Sequence, residues 1–235
     1  KDELYLFLRV LSSGEEDLPW PSGTPERFYL TSTSDGVTWS EPERTRMKDG
    51  GHFSAWSVRR HDGRFYSAVS PGVGLDLTVS EDGVDWTQHA PIAAQPPAGS
   101  NYFTEENDLH WRPDGEMWCV VRTGGSHMYW SQPPYTDWQG GVSLGWCAAP
   151  VICASGDQVY LGGRGPVKVV PKPDNIGGKK GATCIWRLTR GSVQPIVSFP
   201  AGGDASYPGL VSPEPGKLVV TFYSDYAYQM GVVKP

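Results

Sequence analysis

Three arginines stand at similar places in this chain. Arg9, Arg122 and Arg164 each close an apolar, strand-like run: LYLFLR, MWCVVR and VYLGGR. A guanidinium holds a carboxylate through two parallel hydrogen bonds. Arginines recurring after equivalent strands therefore suit a funnel that grips an acidic ligand, and equally suit strand-end surface ion pairs. The groups that could share such a funnel are Glu106 and Asp108, ahead of the run LHWR, and Asp204 with Tyr207, ahead of GLV.

These residues need strands that bring their ends together. EENDLHWRPDGEMWCVVR, Glu105–Arg122, reads as a strand over Leu109–Arg112, a Pro113-Asp114-Gly115 turn and a strand over Met117–Val121. An Asp-Gly pair between two such runs is a strong hairpin signal, because both residues tolerate positive φ. The pattern recurs in WSVRRHDGRFYSAV, VICASGDQVYLGG and GLVSPEPGKLVVTFY. Turns near Gly63, Gly115, Gly156 and Gly216 set a period of about 40 to 60 residues, that of a propeller blade. The chain is therefore expected to be all-β, one five-bladed β-propeller domain over residues 1–235 of mostly four-stranded antiparallel sheets, with part of a six-bladed propeller as the alternative. Within it, strands are expected over Leu4–Val10, Phe28–Thr31, Ala55–Arg59, Phe65–Ser70, Leu75–Val79, His127–Ser131, Ala149–Ala154, Val159–Gly162, Cys184–Leu188 and Tyr228–Val233, with a basic, mobile loop at Lys168–Lys180.

A second repeat marks the turns. Thr33-Ser34-Asp35-Gly36-Val37-Thr38-Trp39 returns as Ser80-Glu81-Asp82-Gly83-Val84-Asp85-Trp86, both fitting [ST]-x-D-G-x-x-W. In such a heptad the Asp caps its own turn, Gly takes the left-handed position and Trp packs between blades, a structural role. The motif resembles the Asp box of sialidases and related propellers. Trp138, in QPPYTDW, falls at the Trp position of a box otherwise lost.

Composition excludes several classes. The 235 residues carry a net charge of -6, which argues against nucleic acid or an anionic membrane as partner but leaves room for a small anionic ligand. With 10 Trp, 11 Tyr, 29 Gly and 21 Pro and no sustained 3.6-residue periodicity, helices are not expected. No apolar run approaches the length of a membrane-spanning helix. Cys119, Cys147, Cys153 and Cys184 show no zinc-ligand spacing, and Cys119 and Cys184 read as buried free thiols. No metal or cofactor is expected, and a monomer is. The sequence begins on a strand with neither Met nor a signal peptide, so an incomplete or processed start is expected; a secreted or periplasmic location is favoured only slightly.

Over most of its length the chain resembles a family of sialidase-like propellers. The resemblance is carried by ENDLHWRPDGEMWCVVR, SQPPYTDW and above all AGGDASYPGLVSPEPGKLVVTFYSD. It implies a glycoside hydrolase with Tyr207 as nucleophile, Glu106, eight positions before Asp114, as its base, and Arg122 as a carboxylate-binding arginine. Arg164 and Arg9 are further candidates for that grip, with Asp204 and Asp108 beside them. Asp17 lies in the loop that would supply the acid, with Glu15 and Glu16 as alternatives. The Arg-Ile-Pro-like stretch that opens the first blade of sialidases would lie upstream of Lys1. A different class of protein, a non-catalytic carbohydrate-binding propeller, would use exposed aromatics such as Trp20, Tyr102, Tyr135 and Trp146 instead. The expected partner in both cases is a glycan.

Overall fold

The computed structural model describes residues 3–11, 26–51, 53–70, 72–104, 106–166, 181–200 and 205–224. They form β-strands and no helix. The first sheet joins β1 (Leu4–Leu11), β2 (Glu26–Thr33) and β3 (Glu43–Arg44). β4 (Arg46–Met47) leaves it and pairs in parallel with the far edge of the second sheet, whose other strands are β5 (Arg59–His61), β6 (Arg64–Val69), β7 (Leu75–Ser80) and β8 (Asp85–Ala93). The third is β9 (Asn107–Trp111), β10 (Met117–Arg122), β11 (Ser126–Ser131) and β12 (Gln139–Gly145). The fourth is β13 (Ala148–Ser155), β14 (Gln158–Pro166), β15 (Gly181–Thr189) and β16 (Ser192–Pro200). A two-stranded ribbon follows, β17 (Ala205–Val211) with β18 (Val219–Ser224).

The all-β propeller arrangement matches the sequence reading, but the count of five blades does not. Four sheets of three or more strands are blades, and the last unit is a ribbon of two strands. The outer strand expected for it at Tyr228–Val233 lies outside the described residues, as does the loop at Lys168–Lys180. Short turns close the hairpins as their residues dictate. Asp62 and Gly63 link β5 to β6 with φ of 47° and 81°, the two positive values that a two-residue turn of the right twist requires.

Packing explains why the blades stack side by side. β10 is buried on both faces, so its side chains feed two cores in alternation. Met117, Cys119 and Val121 join Tyr66, Leu75, Leu77 and Leu109 on the side of the second blade. Trp118 and Val120 join Ile152, Leu161 and Trp186 on the side of the fourth. A third cluster, Phe28, Phe53, Phe65 and Trp86, fills the space between the first two blades, with Trp86 at 0% exposure and stacked on Phe53 at 4.5 Å.

The heptad turns behave as their residue types require. Asp82 Oδ1 accepts the amides of Val84 and Asp85, both at 2.8 Å, and Trp86 Nε1 donates to the Gly83 carbonyl at 2.9 Å. Asp35 Oδ1 does the same for Val37 and Thr38, at 2.8 and 2.7 Å. Trp39 differs from its counterpart in being exposed. Trp138 keeps the tryptophan half of the device without the aspartate: its Nε1 donates to the carbonyl of Tyr135 at 3.0 Å, and Tyr135 takes the left-handed conformation (φ 67°) that Gly holds in the intact heptads. All four cysteines are free thiols, with Cys119, Cys147 and Cys184 buried.

Candidate active site

β5, β9, β13 and β17 each form one edge of their sheet, and these edges meet in sequence: β5 with β9, β9 with β13, β13 with β17. Residues at their ends can therefore share one space although they are remote in the chain.

Glu106 stands just before β9 and is buried. Its Oε1 accepts from Arg122 Nη1 at 2.7 Å and from the Tyr207 hydroxyl at 3.2 Å, while Oε2 accepts the backbone amide of Ala149 at 2.7 Å. Arg122 reaches it because β10 runs antiparallel to β9, and the Arg122 amide also donates to the Glu106 carbonyl at 2.8 Å. The carboxylate is thus fixed from three sides before any ligand arrives.

Tyr207 is delivered from β17 by an irregularity. The pairing of β17 with β18 breaks between Ser206 and Gly209, and Tyr207 adopts φ 46°, in the left-handed region. A bulge of this kind re-aims a side chain. Ala149, whose amide meets Glu106, is also left-handed at φ 53°. Two non-glycine residues in a sparsely populated backbone region at one site is a pattern found where geometry serves function.

The Tyr207 ring is 43% exposed and lies 5.4 Å from Trp56 and 6.0 Å from Tyr223, with the Arg164 guanidinium 5.8 Å above it. Burial and the neighbouring Glu106 carboxylate raise the phenol above the usual tyrosine range, against the opposing pull of Arg164 and Arg122. At neutral pH the hydroxyl therefore keeps its proton and donates it toward Glu106. Beside it opens a cleft of about 320 Å³ lined by Trp56, Ser57, Asp108, Ala149, Pro150, Val151, Tyr207 and Pro208, within the size range of small-molecule sites.

Of the residues singled out from the sequence, the structure brings Tyr207, Glu106, Arg122 and Arg164 together. Arg9 is an exposed residue of β1, in register with Phe28. Asp17, its neighbours Glu15 and Glu16, and Asp204 lie outside the described residues, as does Trp20. Asp108, expected to face a ligand, has protein partners on both oxygens. Oδ1 accepts from Ser57 Oγ and Arg59 Nε, each at 2.7 Å, and from the Leu109 amide at 2.9 Å, while Oδ2 takes Arg59 Nη2 and the Ile152 amide, the latter at 2.6 Å. Tyr135, expected as an exposed aromatic, is buried with its hydroxyl on the Gly115 carbonyl at 3.2 Å. Tyr102 and Trp146 are exposed. Arg59, Trp56 and the Ala149 amide escaped sequence reasoning. The pair Arg59-Arg60 ahead of an Asp-Gly turn was a visible signal for the first; a backbone amide has none.

Among the described residues no group of three or more side chains is placed to hold a metal ion, and no helix is long and apolar enough to cross a membrane. No protein-family model matches the chain, and no curated protein sequence does. Solved structures do. A GH32 β-fructofuranosidase from Bombyx mori, solved with sucrose, superposes with a TM-score of 0.59 at 15% identity, over 94% of this chain and 52% of that one. An α-L-arabinofuranosidase of GH43 from Clostridium thermocellum gives 0.57 at 10% identity, over 97% and 80%. The GH93 α-L-arabinofuranosidase of Fusarium graminearum, in complex with an iminosugar inhibitor, gives 0.55 at 11%, over 83% and 66%. The chain spans about half the length of the first of these, and at such identities the likeness is one of fold.

Proposed function

We propose that this chain is a glycoside hydrolase of sialidase-like type, acting on a terminal acidic sugar with Tyr207 as nucleophile. One observation carries the reading: the Tyr207 hydroxyl and the Arg122 guanidinium converge on the same oxygen of a buried carboxylate, Glu106 Oε1. The propeller neighbours, whose names are those of glycosidases, are consistent with it.

The chemistry follows from the charges. A sugar whose anomeric carbon bears a carboxylate would repel an anionic nucleophile, whereas a neutral phenol meets no such barrier; tyrosine is the recognised alternative to a carboxylate nucleophile in this class. Tyr207 Oη attacks the anomeric carbon as its proton passes to Glu106 Oε1. The bond from that carbon to the leaving oxygen breaks, and the acid, assigned from the sequence to Asp17 with Glu15 and Glu16 as alternatives, gives the leaving oxygen its proton. Water then cleaves the tyrosyl glycoside, its proton going to that acid, while Glu106 returns a proton to Tyr207. Arg122, through guanidinium N–H groups other than the one on Glu106, and Arg164 above the Tyr207 ring hold the substrate carboxylate.

A second reading, a carbohydrate-binding propeller without turnover, is favoured by the exposed wall of Trp56 and Tyr207, since aromatic faces stack on sugar rings. Hydrolysis of aryl glycosides of sialic acid, a uronic acid and a neutral arabinofuranose, by the parent and by Tyr207→Phe, separates the two. The enzyme reading expects turnover of an acidic glycoside that the variant loses while staying folded. Parent protein that binds a glycan and cleaves none of the three supports the binding module instead.

A further inference from the structure

Glu106, just before β9, and Asp108, within it, lie two residues apart, and both reach across to backbone amides of the fourth blade's strand β13, Glu106 to Ala149 and Asp108 to Ile152. No strand pairing joins β9 to β13, so these carboxylate-to-amide contacts stand where a ladder would. Asp108 also receives the forked Arg59 guanidinium and the Ser57 hydroxyl from the second blade, and Arg59 Nη2 continues to the Ile152 carbonyl at 3.2 Å. Ser57 in turn continues into Trp56, which packs on Tyr207. Three blades therefore meet on one carboxylate that is 1% exposed.

We infer that Asp108 and Arg59 are positioning residues: their clamp sets the distance between β9 and β13, and with it the place at which Glu106 meets Tyr207 and Arg122. The inference rests on the proposed role of Glu106 for its catalytic consequence, but its geometric content does not. If the clamp loosens, Glu106 keeps its own contacts with Ala149 and Arg122 only at the expense of Tyr207, whose 3.2 Å bond is the longest of the three. A carboxylate drawn away from the phenol withdraws one of the two influences that raise it.

The test uses the full chain with 3-fluorotyrosine placed at position 207, its ¹⁹F resonance titrated with pH in the parent, in Asp108→Asn and in Arg59→Lys, with Arg190→Gln at the remote Glu116 ion pair as control. Positioning predicts that the parent and the control titrate above free 3-fluorotyrosine, and that folded Asp108→Asn titrates lower than the parent. Arg59→Lys, which keeps a cation beside Asp108 but not the fork, moves the same way by less, and it is decisive alone if Asp108→Asn does not fold. Where a glycoside is turned over, kcat falls by up to about 100-fold, the scale of an ångström's misplacement, with KM changed far less. Folded clamp variants whose Tyr207 titrates as in the parent would overturn the inference, whatever their melting temperatures. A parent without turnover removes the enzymatic reading yet leaves the titration to decide the clamp.

Discussion

The Tyr207 hydroxyl donates to Glu106 Oε1 across 3.2 Å, a contact between residues 101 positions apart. It exists because β9 and β17 both pack against β13 and because the break in the β17 pairing turns Tyr207 out of its ribbon. Glu106→Gln keeps the shape and hydrogen-bonding capacity of the side chain but removes the base. Turnover of an acidic glycoside should fall by about 10²- to 10⁴-fold, the usual contribution of a general base. An unchanged rate would take Glu106 out of the chemistry.

Arg122 commits one guanidinium N–H to the Glu106 carboxylate. Arg122→Lys retains a positive charge but not the planar fork that holds a carboxylate by two bonds. The expected result is a rise in KM for an acidic glycoside of about 10- to 100-fold, from the ~1.5–3 kcal/mol of a hydrogen bond to a charged group. A neutral glycoside, if cleaved at all, should show little change in KM. Equal effects on both would mean that Arg122 serves only to hold Glu106.

Trp86 is fully buried, stacked on Phe53 and tied by its ring N–H to Gly83. Trp86→Ala should destabilise the fold by roughly 3–5 kcal/mol, read by chemical denaturation, while glycan binding by the folded fraction is unaltered. Trp39, at the same place in the other heptad, is exposed, so Trp39→Ala should cost much less. The reverse order would show that the two heptads had been assigned the wrong packing roles.

His110 supplies the pH prediction. Burial pushes its imidazole down to about 4, with Asp108 opposing and the Arg59 and Arg112 charges adding to the depression. An unfolded histidine binds its proton near pH ~6.5. Between about pH 6.5 and 4 the unfolded chain therefore holds more protons than the folded one, and stability falls as pH is lowered through that window, by about 3 kcal/mol in all. His110→Gln should flatten this part of the stability profile. A variant with the parent's slope between those values would contradict the assignment.

Much of this was legible in the chain. Apolar runs on either side of short turns at Gly63, Gly115, Gly156 and Gly216 locate the hairpins, and residues placed at equivalent strand ends, Glu106, Arg122, Arg164 and Tyr207, meet because equivalent strand ends in a propeller face one space. What escaped depends on groups without a sequence signature. The Ala149 amide is available to Glu106 only through a left-handed backbone at a residue type that seldom adopts it. Asp108 reads like its neighbour Glu106 in sequence, yet one meets Arg59 and the other a phenol, a difference set by which blade each oxygen faces. Tyr135 is polar enough to expect at the surface, but its positive φ folds it inward to serve Trp138. The count of blades failed because an apolar repeat in sequence marks strand pairs, and the last pair stands as a ribbon among the described residues.

The most direct test of the central claim is to trap the intermediate. A glycosyl fluoride of an acidic sugar, with a second fluorine beside the anomeric centre to slow its release, is incubated with the parent and with Tyr207→Phe, and the digested proteins are examined by mass spectrometry. The account predicts a glycosyl adduct on the peptide containing Tyr207 in the parent, localised to that residue, and none in the variant. An adduct on a carboxylate side chain, or no adduct from a parent that hydrolyses the corresponding glycoside, would contradict it.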